Sequence, residues 1–223
     1  VKAAVGDLDA FAGSKTALNK IRNQTEFNND VKAPVLKTGK INLRSYQHTG
    51  YQWLWWLYQN HLHGLLADEM GLGKTHQTMA LMLAIFDQLG EDANFLVIAP
   101  TTVLNHWLDK VEEFAPALKP FIYHGPKRGS QLELLKKGHQ TLITSYGILL
   151  RDFKQLSEVK WNAMVLDEAH MVKNNNTATY KAACRLQSRI RVCLTGTPLE
   201  NHLGELKSLF DFLVPGFLGS DEY

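Results

Sequence analysis

The chain has 223 residues, of which 45% are hydrophobic and 21% charged, and a formal net charge of +2. That is enough apolar chain for one sizeable domain burying roughly 70–75% of its extended surface. The near-neutral charge neither demands nor forbids a polyanionic partner, so any such contact must be local. The two cysteines, Cys184 and Cys193, lie in apolar stretches without metal-ligand spacing, no run is long enough to span a membrane, and no secretory leader is visible. A soluble protein of a reducing, intracellular compartment is expected.

Residues 1–40 are rich in Asn, Asp, Lys and Ala, with few periodic apolar positions beyond Phe11, Leu18, Ile21 and Phe27. They are expected to form a helical extension or the end of a preceding domain. Helices are predicted at about 45–60, 74–90, 103–115, 129–137, 176–187 and 203–213, with Pro100, Pro116, Pro198 and Pro215 at their edges. Apolar strands are predicted near 64–67, 94–99, 119–123, 141–144, 163–166 and 190–194. The alternation predicts an α/β domain over residues 41–223, its mostly parallel sheet flanked by helices on both faces. In the first helix Tyr46, Gly50, Trp53, Leu54 and Leu57 recur at helical spacing, so Trp53, Trp55 and Trp56 read as packing residues. His61, His63, His76, His139 and His202 show no ligand spacing and read as structural.

The first strand runs into Asp68-Glu69-Met70-Gly71-Leu72-Gly73-Lys74-Thr75. This is close to the phosphate-loop pattern G-x-x-x-x-G-K-[ST], with Asp68 in place of the first glycine. Gly71 and Gly73 let backbone N–H groups turn inward around an anion, and the helix that follows offers its positive end. Lys74 can reach β and γ oxygens, while the Thr75 hydroxyl can ligate Mg²⁺. The loop is predicted to hold a nucleoside triphosphate; the bland alternative is a glycine turn before a helix that starts with Lys-Thr.

Downstream, the run Ala163–Leu166 delivers Asp167 and Glu168 to a strand tip, where open α/β sheets place their chemistry. Asp167 is assigned to Mg²⁺ through water, and Glu168 to orienting and deprotonating the attacking water. A solvated acidic helix start is the alternative. Another apolar run ends in Thr195-Gly196-Thr197-Pro198, which as a turn alone proves little. For a nucleic-acid backbone the candidates are Thr101 and Thr102, the loop 124–128 with Lys127 and Arg128, and Thr144, Ser145 and Tyr146. Hydroxyls, N–H groups and cations suit phosphates but carry no base code.

In this order the segments resemble the Swi/Snf-type ATPases of helicase superfamily two. The resemblance rests on the loop 68–75, on Asp167-Glu168-Ala169-His170 with Lys173-Asn174 (a DEAH box), and on Leu194 to Asn201. Further matches are Leu43 to Gln47 with Gly50 and Trp53-Leu54, Ala99-Pro100-Thr101 running to Trp107, Thr144 to Gly147, Glu205 to Leu213 and Pro215 to Gly219. One departure is His106, where the family often has Asn.

The resemblance implies a RecA-like P-loop lobe that binds ATP and Mg²⁺, with double-stranded DNA and a second RecA-like lobe as partners. It implies that Gln47 reads the adenine edge, that His170, Thr195, Gly196 and Thr197 couple the site to movement, and that Arg185, Arg189 and Arg191 cannot serve as arginine fingers. The chain stops soon after the third motif, so it is expected to be the first lobe of a larger DNA translocase or remodeller, hydrolysing ATP poorly alone. Localisation would be cytoplasmic in a microbe and nuclear in a eukaryote. The alternatives are an RNA helicase lobe of the DEAH-box type and a non-catalytic DNA- or partner-binding module.

Overall fold

A computed structural model describes residues 32–131, 140–196 and 203–214. Helix α1 (Ser45–Gln59) turns its aromatic side inward, burying Tyr51, Leu54, Trp55, Leu57 and Tyr58. Strand β1 (Gly64–Leu66) leads through the glycine loop into α2 (Lys74–Leu89), in which the nine residues from Gln77 to Ile85 are all buried. Strand β2 (Asn94–Ala99) follows, then a 3-10 turn at Thr101–Val103 and helix α3 (Leu104–Phe114). Next come β3 (Pro120–Ile122), a 3-10 segment at Pro126–Gln131 and β4 (Gln140–Ser145). Two short helices, α4 (Tyr146–Arg151) and α5 (Phe153–Ser157), precede β5 (Trp161–Leu166). Helix α6 (Ala178–Arg185), strand β6 (Ser188–Leu194) and helix α7 (Leu203–Leu213) complete the described chain.

The strands form one six-stranded sheet in the order β1-β6-β5-β2-β4-β3, every pair parallel. Alternation along each strand divides the interior in two. Phe95, Val97, Ala163, Val165, Val192 and Leu194 face a core shared with α1, α2 and α3. Leu96, Ile98, Met164, Leu166 and Cys193 face a second core closed by Leu149 of α4, Leu156 of α5, Ala183 of α6 and Phe212 of α7. Burial on both faces is why these strands read as unbroken apolar runs, and helices on both faces are what parallel pairing requires.

The predicted strands are all present, with β5 and β6 each starting two residues earlier than expected. Helices α4 and α5 were not expected. At 6 and 5 residues they are under two turns long, too short to show a period of 3.6. What starts α4 is local: the Ser145 hydroxyl accepts from the Ile148 N–H at its N-terminus. Most of the helix predicted at 129–137, and residues 1–31, lie outside the described residues. The segment before α1 packs on the first core: Tyr51 donates to the Pro34 carbonyl at 2.9 Å, Thr38 to Asp87 at 2.7 Å, and Lys40 N–H to the Phe114 carbonyl at 2.7 Å.

Two polar side chains anchor β6 and the start of β1. Arg191 points into the second core, where its guanidinium donates to the carbonyls of Phe212 (2.9 Å), Cys184 (2.8 Å) and Leu186 (3.2 Å). Two of these carbonyls belong to the C-terminal turns of α6 and α7, whose dipoles favour a cation there. Arg191→Met would leave three buried carbonyls without their donor and should cost roughly 3–5 kcal/mol in urea unfolding. Arg191→Lys should recover less than half of that, because an ammonium cannot reproduce the fork.

His63 accepts the Arg191 N–H at its Nδ1, at 3.2 Å, which requires the neutral ring. Burial, aided by the nearby Arg191 charge, lowers its pKa from 6.5 to about 4. Between those values the unfolded chain binds a proton that the folded chain refuses, so this contribution is complete above pH 6.5 and lost as pH falls toward 4. Unfolding between pH 7.5 and 4 should show a loss of up to about 3 kcal/mol from this residue, and His63→Gln should remove that part of the slope.

Candidate nucleotide site

The carboxyl ends of β1, β6, β5 and β2 lie in line along one edge. Leu66 pairs with Leu194 and Leu166 with Cys193. Two further hydrogen bonds carry this alignment past the strands: Thr195 N–H to the Leu66 carbonyl at 3.1 Å, and Asp167 N–H to the Ile98 carbonyl at 2.9 Å. The root of the glycine loop and Asp167 are thus separated by two strand spacings, about 10 Å, on the same side of the molecule.

The loop is shaped by two left-handed glycines, Gly71 (φ 84°) and Gly73 (φ 79°). At Gly73, the N-cap of α2, a Cβ would collide with the amide nitrogen of Gln47. Gln47 is buried and bridges two elements, its Oε1 accepting from Arg44 N–H at 2.9 Å and its Nε2 donating to the Leu72 carbonyl at 3.1 Å. Its Nε2 also reaches the Tyr46 hydroxyl at 3.5 Å, so one lone pair of the amide oxygen remains for a further partner. Asp68, in the first-glycine position, accepts at Oδ2 from Gln77 Nε2 at 3.3 Å, and Gln77 in turn fills the space that a side chain at Gly50 would need.

Glu69, Met70, Gly71 and Leu72 are exposed at the loop's crest, and Thr75 is half-buried in the first turn of α2. Lys74 Nζ donates to the carbonyls of Asp68 (2.7 Å) and Glu69 (3.0 Å). The same ammonium lies 3.7 Å from where a Cβ on Gly196 would stand, and such a Cβ would come within 2.7 Å of Met70 Cγ. The Met70 and Lys74 side chains of the loop therefore lie against the turn after β6, where Gly196 leaves room for them. Thr195 is buried, whereas Thr197 falls outside the described residues.

Asp167 is held from three sides. Its Oδ2 accepts the Trp107 indole N–H at 2.8 Å, its Oδ1 the Glu168 N–H at 3.0 Å, and its carbonyl the Tyr146 hydroxyl at 2.7 Å. Burial first, and then the neighbouring Cys193, Asp167 and Glu168, push the Tyr146 phenol well above its ordinary pKa, so it stays a donor. Glu168 has a left-handed backbone, φ 51° and ψ 55°, as the N-cap of a 3-10 turn at Ala169–Val172. A non-glycine residue there is strained, and such strain concentrates at working sites. His170 Nδ1 lies 3.3 Å from Glu168 Oε2.

The nucleic-acid candidates divide. Thr101, Thr102 and Lys127 are exposed. Arg128 is not free: Nε and Nη2 hold Asp152 at 2.5 and 2.9 Å, and Nη1 donates to the Gly125 carbonyl at 2.9 Å. Thr144 is fully buried and donates to the Tyr123 carbonyl at 2.7 Å, Ser145 caps α4, and Tyr146 serves Asp167. The side chains of these last three face the interior. The three arginines near β6 are also engaged, Arg191 as described, Arg189 over the Tyr58 ring at 4.1 Å and Arg185 over the Phe153 ring at 4.7 Å.

Sequence reasoning did not assign Trp107, Gln77 or the Tyr146 hydroxyl to the site. Trp107 carried one usable signal: a buried indole N–H needs an acceptor.

The profile of the SNF2-related domain matches residues 46–223. The chain belongs to the SNF2-related family. It is 38% identical over 221 residues to the putative ATP-dependent helicase/translocase YwqA of Bacillus subtilis, covering 96% of this chain and 24% of that protein. It is 39% identical over 190 residues to the chromatin structure-remodeling complex subunit snf21 of Schizosaccharomyces pombe, covering 83% of this chain and 16% of that one. The Sulfolobus solfataricus SWI2/SNF2 ATPase core in complex with dsDNA superposes with a TM-score of 0.75 at 38% identity, over 85% of this chain and 39% of that one. The chain thus spans a quarter or less of these curated SNF2-type relatives, and its sheet is that of the RecA-like SNF2 ATPase core. No helix among the described residues is long and apolar enough to cross a membrane.

Because Glu168 sits in the left-handed region, glycine fits its backbone better than any L side chain. Glu168→Gly should be neutral or stabilising by up to about 1 kcal/mol in denaturant melts, whereas Glu168→Val should destabilise by about 1–2 kcal/mol.

Proposed function

We propose that this chain is the ATP-binding first lobe of a DNA-dependent ATPase that moves along double-stranded DNA or remodels protein–DNA complexes. The observation that carries the reading is the shared sheet edge: Lys74 and Thr75 follow β1, Asp167 and Glu168 follow β5, and both turns flank the turn after β6.

The residues present fit a Mg²⁺–nucleotide. A loop with two left-handed glycines before a helix N-terminus suits a polyphosphate. Among the described residues no group of three or more His, Cys, Asp or Glu could hold a metal. One hydroxyl and one carboxylate match Mg²⁺ that rides on phosphate oxygens rather than in a protein cage. Thr75 and, through water, Asp167 would hold it, and when bound it neutralises charge developing on the transferring phosphoryl group. Lys74 binds β and γ oxygens, Gln47 reads the adenine edge with its amide, exchanging the long contact to the Tyr46 hydroxyl for the base, and residues 68–73 wrap the phosphates.

Glu168 orients the attacking water and takes its proton, held at a bearing set by its strained backbone. His170, Thr195, Gly196 and Thr197 relay the state of the phosphates toward lobe movement. Exposed Thr101, Thr102 and Lys127 meet DNA phosphates without reading bases. Arg191 is held by buried carbonyls, Arg189 lies over the Tyr58 ring and the exposed Arg185 over the Phe153 ring, all within this lobe, so the cation that stabilises the transition state comes from a second RecA-like lobe. Without it, hydrolysis by this chain is slow, since such a finger is worth on the order of 10³–10⁵ in rate.

In the two-lobed protein, duplex DNA should stimulate ATP hydrolysis more than RNA does. Glu168→Gln should lower kcat at least about 100-fold with ATP binding retained, and Lys74→Ala should weaken binding itself. Stimulation by RNA alone, or near wild-type turnover by Glu168→Gln, would contradict this function.

A further inference from the structure

Two indole N–H groups of the domain are satisfied in different ways. Trp161, on β5, donates to the Leu156 carbonyl at 3.0 Å, the ordinary solution for a buried indole. Trp107, 1% exposed on α3, instead aims its N–H at Oδ2 of Asp167, a carboxylate in the candidate site and 60 residues away in sequence. An indole can only donate, so the contact fixes where one carboxylate oxygen lies without competing for a cation. Glu168 N–H fixes the other oxygen, and together the two donors set the plane of the carboxylate. Each oxygen keeps a second lone pair for a water or a metal.

We infer that Trp107 is a positioning residue that sets the Asp167 carboxylate for Mg²⁺ on the bound nucleotide. The inference rests on the reading of Asp167 as the carboxylate that faces Mg²⁺, and it adds a residue that makes no contact with nucleotide or metal. A carboxylate held by one donor instead of two can rotate, so its water-mediated grip on Mg²⁺ weakens while the phosphate loop is untouched. The effect is therefore confined to the metal-dependent part of nucleotide affinity.

The test is binding of a fluorescent ATP analogue to the full chain, in Mg²⁺ and in EDTA, for the wild type and Trp107→Phe. The phenyl ring keeps much of the packing and removes the N–H. The wild type should bind more tightly in Mg²⁺; Trp107→Phe should lose about ten-fold in Mg²⁺, the scale of one hydrogen bond to a charged group, and stay within two-fold in EDTA. An undiminished Mg²⁺ advantage in the variant, or equal losses with and without metal, would overturn the role of Trp107. No Mg²⁺ advantage in the wild type would overturn the assignment of Asp167 together with it, and no analogue binding at all would overturn the nucleotide reading. Should Trp107→Phe not fold, the indole N–H spectrum of the wild type decides. With nucleotide and Mn²⁺ in place of Mg²⁺, one of the five tryptophan resonances should broaden selectively, and its absence would refute the proposal.

Discussion

Everything at the site depends on the parallel pairing of β1, β6 and β5. Parallel strands with a shared register end on the same edge, so three turns far apart in sequence are forced to lie side by side. The hydrogen bonds from Thr195 to Leu66 and from Asp167 to Ile98 extend this alignment one residue beyond the strands, to where the polar residues begin. The rest of the sheet serves the same end. Strands buried on both faces cannot shift by one residue without turning apolar side chains toward the wrong core, so the edge is rigidly registered.

The polar devices around that edge follow from its position. Arg191 lies on β6 two residues before Cys193, and its guanidinium gathers the carbonyl ends of α6 and α7. It thereby braces the strand that carries Thr195 and Gly196, the turn against which the glycine loop rests. His63 ties β1 to the same strand through the Arg191 N–H. At the far end Glu168 holds a backbone conformation that only its surroundings make tolerable, with Asp167 beside it fixed by donors from α3 and α4. Stability is built low in the sheet and strain is placed at its tip, the arrangement expected where geometry matters more than local comfort.

How much of this could be read from the residues depended on how local each signal was. The strands were legible because double-sided burial writes them as apolar runs such as Phe95–Ala99 and Ala163–Leu166. The loop 68–75 was legible because its glycines, lysine and threonine are contiguous. Helices α4 and α5 were not, being too short to show periodicity. The interior placement of Thr144, Ser145 and Tyr146 was hidden as well, since it depends on the direction in which β4 turns into α4. Gln47 was singled out only through the family resemblance, and for the adenine edge; nothing in the helix itself says that its amide will span from Arg44 to Leu72. The Trp107–Asp167 contact was the least accessible, because only the folded sheet brings α3 over the tip of β5.

The central claim is that the loop at 68–75 and the acidic turn at 167–168 serve one metal–nucleotide complex. A crystal structure of the chain with a non-hydrolysable ATP analogue and Mg²⁺ tests it most directly. The account predicts phosphates cradled by residues 69–75, Lys74 Nζ moved from the Asp68 and Glu69 carbonyls onto phosphate oxygens, and the metal between the Thr75 hydroxyl and Asp167. A nucleotide seated elsewhere, or a metal with neither a direct nor a water-bridged link to Asp167, would contradict it.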